Sequence, residues 1–177
     1  MTTPTFTIRD ATVEDASAIA HAQVSAWHAA YEGIVDQDYL DNYTVEMRTD
    51  RWRTILTEDS LPGALTLVLD AADVGVCAFV SIATARDDDF EEGELVALYA
   101  HPDTWGKKFG HSLHAAAIHH LIQRGHRAAI LWVLEENTRA RRFYEAHGWS
   151  LDGARKDARF NGVAAPMVRM QRPLVER

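Results

Sequence analysis

The sequence predicts one mixed α/β (α+β) domain, a mostly antiparallel sheet of about seven strands flanked by helices. Three observations predict it. Apolar residues make up 47% of the 177 positions and charged residues 25%, as in ordinary globular chains. Segments that alternate polar and apolar residues, as half-buried strands do, are interleaved with segments whose apolar residues recur every three or four positions, as on a helix. Most neighbouring strands are joined by tight turns, ending in the hairpin signal Asn161-Gly162. No repeat or linker divides the chain, so residues 1–177 read as one domain.

Thr5 to Arg9 alternates as a short strand. Thr12-Val13-Glu14-Asp15 resembles a capping box with Asp at the usual Glu position. Ile19, Gln23/Val24, Trp27 and Tyr31 then mark a long helix ending near Gly33. Asp36 to Tyr43 and Thr44 to Leu56 read as two further helices. Leu61-Pro62-Gly63 is a turn, Leu65 to Leu69 a strand, and Val74 to Thr84 its hairpin partner. The acidic residues 87–92 form a loop before a third apolar strand, Glu94 to Ala100. Pro102 ends that strand. Trp105 to Gly110 leads into a helix that Gly125 stops. Ala128 to Leu134 is a buried strand, and Asn137 caps a helix stopped by Gly148. Two last strands flank Asn161-Gly162.

Composition excludes several classes. A single cysteine, Cys77, rules out an internal disulfide or a cysteine-rich zinc site, and its apolar strand suggests a structural thiol. The start carries no basic and apolar leader, and no stretch approaches the roughly 20 apolar residues of a membrane span, so a soluble cytoplasmic protein is expected. The net charge is −8, the wrong sign for a nucleic-acid binder. Acidic residues crowd the first hundred positions, whereas from Trp105 onward basic residues outnumber acidic ones about two to one. Such polarity suits an anionic ligand at one end and a cationic one at the other.

Two segments carry chemistry. In Trp105-Gly106-Lys107-Lys108-Phe109-Gly110, two glycines let the backbone approach a ligand, two lysines add charge, and the following helix offers unpaired N–H groups and a positive dipole end. Those features suit a pyrophosphate. The loop is neither a GxxxxGK[ST] nor a GxGxxG motif. In the segment Leu131 to Trp149, Asn137 stands at the mouth of a strand. Ala140, Phe143 and Tyr144 follow on one helix face. No GxSxG elbow exists. Nine histidines include no His-x-x-x-His pair on the helix after Gly110, so no metal is expected, and apart from His111 that helix's histidines read as surface residues.

Together these segments resemble the GNAT superfamily of acetyl-CoA-dependent N-acetyltransferases. The likeness rests on Glu94 to Asp103 followed by the glycine loop and Gly110-His111-Ser112-Leu113, and on Asn137-x-x-Ala140-x-x-Phe143-Tyr144-x-x-x-Gly148-Trp149. Ile8 to Thr12 and Trp27-x-x-x-Tyr31-x-Gly33 are similar to its openings. Two positions depart: Trp105 stands where the family commonly has Arg or Gln, and Lys108 where it has the first Gly. Lys108 is thereby asked for an awkward backbone angle, and its charge can compensate.

The resemblance implies a sheet splayed between the fourth and fifth strands and direct acetyl transfer from acetyl-CoA to an amine. The co-substrate would be held by Leu98, Tyr99 and Ala100, by Trp105, Gly106, Lys107, Lys108, Phe109, Gly110, His111 and Ser112, and by Asn137, Ala140, Phe143 and Tyr144. Tyr144 would protonate the departing thiolate. A phenol of pKa about 10 can donate to a thiolate whose conjugate acid lies near 8.5. An amine of pKa about 10.4 needs a base, for which Glu94 is the first candidate and Glu32 and His28 are weaker ones. Trp27, Tyr31 and Tyr99 would line the pocket of a small, cationic amine acceptor. A non-catalytic acyl-CoA sensor and an acetyltransferase of protein N-termini or lysines are the alternatives. A homodimer is the assembly the resemblance leaves open.

Overall fold

Asp15 joins the first strand to the first helix. Its carboxylate accepts the Thr12 backbone N–H at 2.8 Å and the Arg9 guanidinium at 2.7 and 2.9 Å. That contact is the acid half of the expected capping box, and it ties β1 (Phe6–Asp10) to α1 (Ala16–Tyr31). The computed structural model describes residues 5–58 and 61–174; the remainder of the 1–177 span lies outside the described residues. The helices α2 (Gln37–Asp41) and α3 (Val45–Thr57) follow, capped by Asp36 and Thr44, whose side chains accept from Tyr39 N–H and Met47 N–H. Trp52 on α3 donates its indole N–H to buried Gln23 of α1 at 2.8 Å and meets Phe79 edge-on. One polar bond and one aromatic contact thus dock both helices on the sheet.

The strands are β2 (Leu65–Ala71), β3 (Gly75–Thr84), β4 (Gly93–Ala100), β5 (Ala128–Leu134), β6 (Ser150–Phe160) and β7 (Val163–Pro173). They form one sheet in the order β1-β2-β3-β4-β5-β7-β6. Only β4 and β5 run parallel, because the helix α4 (Phe109–Gln123) crosses between them. The last helix, α5 (Thr138–Ala146), links β5 to β6. α4 buries Phe109, Leu113, Ala117 and Leu121 against Leu67, Leu69, Val80 and Leu95, while α1 covers the other face through Ile19 and Ala20 on Val68 and Phe79. No helix among the described residues is long and apolar enough to cross a membrane.

The feature that positions the site is the β4–β5 junction. These strands pair only at Gly93↔Ala129 and Glu94↔Ile130, then part. On its other edge, β4 carries a bulge: Ile82 and Ser81 face Leu95 and Ala97, leaving Val96 as the extra residue. A bulge bends its strand and increases the local twist, which turns β4 away from β5. β5 instead stays paired with β7 along its whole length. At the junction Gly93 admits α4, since a Cβ there would lie 2.6 Å from a Leu121 methyl. The acidic loop 85–92 is pinned rather than loose: Arg169 on β7 pairs with Asp87, Asp89 and Asp152 at 2.9, 2.7 and 2.6 Å.

Candidate functional site

Where β4 and β5 part, the edge of residues 95–100 facing β5 has no strand opposite it. A cavity of about 520 Å³ fills the opening, a size typical of small-molecule sites. Its wall draws on α1, β4, β5, loop 104–108, the starts of α4 and α5, and the β6–β7 hairpin.

One end is built by the glycine loop. Trp105 donates its indole N–H to the Ala100 carbonyl at 2.9 Å, folding the loop against the end of β4. Gly106 has φ +85°, and Lys108 takes the left-handed conformation, φ +64° and ψ +14°, the awkward angle expected of it. Ser112 N–H makes the first helical bond, to Lys108 O at 3.2 Å. The amides of Phe109, Gly110 and His111 therefore have no helical acceptor and sit at the positive end of the dipole. Trp105, Gly106, Lys108, Phe109, Gly110 and His111 line the cavity. Lys107 and Ser112 do not: the Lys107 ammonium pairs with Asp73 at 3.7 Å, and the Ser112 hydroxyl turns back to Lys108 O at 3.5 Å.

The histidines correct one expectation. His147 Nδ1 lies 2.6 Å from the Phe143 carbonyl, which can only accept, so Nδ1 carries the proton and Nε2 receives the Nδ1–H of His111 at 2.8 Å. Burial, followed by electrostatic repulsion from the neighbouring His147 and Lys108 against a second cation there, pushes the His111 pKa down. His114 is no surface residue. It is 3% exposed, accepts the Trp149 indole N–H at 2.9 Å, and burial lowers its pKa to about 3. One imidazole turned inward satisfies an otherwise unpaired buried indole.

The second segment meets the first across the cavity. Asn137 accepts the Ala140 N–H at 3.1 Å through its carbonyl oxygen, leaving the amide NH₂ free to donate, and it lines the wall with Ala140, Phe143 and Tyr144. Tyr144 is buried, and desolvation followed by the nearby Tyr99 raises its phenol pKa, so the hydroxyl keeps its proton. Arg139, on the first turn of α5, stacks on Trp105 and also lines the cavity. Its position two residues after the cap was the only sequence signal, and spacing alone could not show the stack.

At the other end stand Leu98, Tyr99 and Ala100 of β4 with Trp27 and Tyr31 of α1. The Tyr31 and Tyr99 hydroxyls lie 3.2 Å apart, and burial raises both phenol pKa values. Trp27 stacks on Tyr43 and meets Tyr31 and Phe160 edge-on. Glu94 lines the wall and is 2% exposed, so it is not a solvent-facing strand end. Both its oxygens accept from Arg86, at 3.0 and 2.5 Å. His28 and Glu32 are exposed and do not line the cavity, which removes the two weaker base candidates from the site. Arg86, Trp132, Lys156, Phe160 and Met167 complete this end and were not anticipated; strand alternation gives Lys156 and Phe160 a common face, but no sequence pattern shows what that face meets.

Several acidic residues of the first hundred positions are engaged in ion pairs rather than lining the cavity. Asp15 and Asp70 pair with Arg9, Asp73 with Lys107, and Asp87 and Asp89 with Arg169. Among the described residues, Glu94 is the only carboxylate in the wall, and Arg86 neutralises it.

Residues 24–149 match the model of the acetyltransferase (GNAT) family. The chain is 30% identical over 142 residues to the uncharacterised N-acetyltransferase YuaI of Bacillus subtilis, covering 80% of this chain and 78% of that protein. The PaiA N-acetyltransferase of Thermoplasma acidophilum, solved with coenzyme A, is similar with a TM-score of 0.70 at 20% identity over 96% of this chain and 99% of that one. YncA of Salmonella typhimurium, solved with acetyl-CoA, gives 0.69 at 22% over 98% and 96%. At these identities the two structures bear on the fold alone.

Proposed function

Because the chain belongs to the acetyltransferase (GNAT) family, we propose that it transfers the acetyl group of acetyl-CoA to the primary amine of a small molecule by direct attack. The observation that carries this reading is the cavity opened by the parting of β4 and β5, which runs from the unpaired amides of α4 to the phenol of Tyr144. The residues fit the co-substrate. The amides of Phe109, Gly110 and His111, with Lys108 and Arg139, present donors and positive charge to a diphosphate. The unpaired β4 edge offers backbone groups to the pantetheine arm, and Asn137 adds its amide.

In this reading the amine nitrogen attacks the thioester carbonyl carbon, the C–N bond forms and the C–S bond breaks. A β4 backbone N–H near Leu98 stabilises the oxyanion that develops. Tyr144, protonated and desolvated, gives its proton to the leaving sulfur. The proton lost by the amine passes to Glu94 or to solvent. Trp27, Tyr31 and Phe160 supply an aromatic wall that supports a small acceptor over a polypeptide. The cationic acceptor expected from the charge asymmetry has no free carboxylate in this wall to support it.

The test is thiol release from acetyl-CoA by the purified chain with a broad amine panel, with mass detection of the N-acetyl product. Amine-dependent release supports the reading. Thermal stabilisation by acetyl-CoA without release by any amine overturns it in favour of a sensing module.

A further inference from the structure

Lys156 is the one wall cation at the acceptor end without an ion-pair partner among the described residues. Its neighbour Arg155 points elsewhere and pairs with Glu135. The Lys156 ammonium lies 3.9 Å from the centre of the Trp132 ring. That ring is held in place: its indole N–H donates to Asp87 at 2.9 Å, and Asp87 accepts from Arg169 at 2.9 Å. The lysine thus rests on a fixed aromatic platform, as a cation over an electron-rich face does. Burial lowers its pKa; Asp87 and Glu94 act to raise it, and Arg86 and Arg169 act to lower it. Arg86 is committed to Glu94 through two hydrogen bonds. Lys156 is therefore the cation of the acceptor end not held in an ion pair among the described residues, and it stands beside an apolar wall of Leu134, Phe160 and Met167.

We propose that the acceptor carries a carboxylate together with its amine and an apolar side chain, as an apolar amino acid does, and that Lys156 receives the carboxylate. The proposal rests on the acetyl-transfer reading above and names the substrate class of the same site. A single ammonium matches a singly charged group, and a partly desolvated cation gains most from an anion that replaces its lost water. The aromatic and aliphatic wall takes the side chain. With the carboxylate at Lys156 on β6, the amine is left to face β4, where the thioester must lie. Lys156 is in this sense a specificity residue and takes no part in bond making.

The test uses matched acceptors that differ only in the carboxylate: leucine against 3-methylbutylamine and phenylalanine against 2-phenylethylamine, each with the wild-type chain and with Lys156→Met and Lys156→Arg. The expected result is a kcat/KM at least tenfold higher for the carboxylated member of a pair in the wild type. That ratio falls to about one in Lys156→Met and recovers in part in Lys156→Arg. A wild type that uses amines but ignores the carboxylate overturns this proposal alone. So does a Lys156→Met variant that keeps the wild-type ratio. A wild type that releases thiol with no amine of the pairs or of the broad panel overturns the transfer reading and this proposal with it.

Discussion

The guanidinium of Arg139 lies 3.3 Å over the ring of Trp105, joining two segments separated by the whole of α4 and β5. Trp105 occupies the loop position where the family resemblance led us to expect Arg or Gln. The stack brings a guanidinium back to that place from the neighbouring helix. Arg139→Ala should therefore raise the acetyl-CoA KM by about tenfold, the loss of one charge-assisted contact, with the effect in KM rather than kcat. Arg139→Lys keeps the charge but loses the planar stack and should fall between. Steady-state kinetics over a range of acetyl-CoA concentrations check this.

Lys108 holds φ +64° without being glycine. That conformation costs an L-residue roughly 1–2 kcal/mol, part of which is offset by the chain entropy glycine would lose. Lys108→Gly should stabilise the protein by about 0.5–1 kcal/mol while raising the acetyl-CoA KM through the lost charge. Lys108→Ala should lose the charge without the gain in stability. Urea midpoints set beside KM values separate the two effects.

Tyr144 is buried at the cavity wall and keeps its proton to high pH. Tyr144→Phe removes the donor and little volume. Turnover should fall by about 10²–10⁴-fold, the usual worth of general acid help, with a small change in acetyl-CoA KM. Equal turnover in the two proteins would dismiss the role.

Glu94 is held by Arg86 through both carboxylate oxygens. If it takes the amine's proton, Glu94→Gln should remove the acidic limb of the pH–rate profile, and an unmoved limb rules it out. Arg86→Met leaves the buried carboxylate without its partner and should cost about 1–3 kcal/mol of stability. Activity against pH and thermal unfolding give independent readings of the pair.

His114 titrates at about 3 in the folded protein, well below the ordinary 6.5. The unfolded chain takes up that proton first, so the stability tied to neutral His114 is complete above about pH 6.5. It is lost as pH falls toward about 3, at up to about 1.4 kcal/mol per pH unit. His114→Gln keeps an acceptor for Trp149 and removes the titration. Its stability should fall less steeply between about pH 6.5 and 4.5, a range above the ordinary carboxylate pKa values. Urea midpoints against pH measure the slopes.

Much of the fold could be read from local pattern. Asn161 and Gly162 both take positive φ, +51° and +80°, as the hairpin signal implied, and the helices capped by Asn137 and Thr44 start where their caps stand. The positive φ at Lys108 is expected from the family resemblance, in which that position is commonly glycine. These features arise within a few residues, where turn chemistry and side-chain period act directly. Other relationships are long-range. Arg169 and Asp87 are 82 positions apart, and Trp149 and His114 are 35 apart. From sequence His114 reads as a helix-surface residue, because its partner Trp149 lies on a remote segment that the local pattern does not show.

The sequence by itself determined the fold class, because period, caps and turn residues are local, and the resemblance of its contiguous motifs pointed to the family and to about half of the residues around the cavity. Only the tertiary structure decided the charge of the acceptor end. Coulombic pairing depends on distances of a few ångström between strands and loops remote in sequence. In the fold Asp15, Asp73, Asp87 and Glu94 pair with Arg9, Lys107, Arg169 and Arg86, and Lys156 is the wall cation of that end with no ion-pair partner among the described residues.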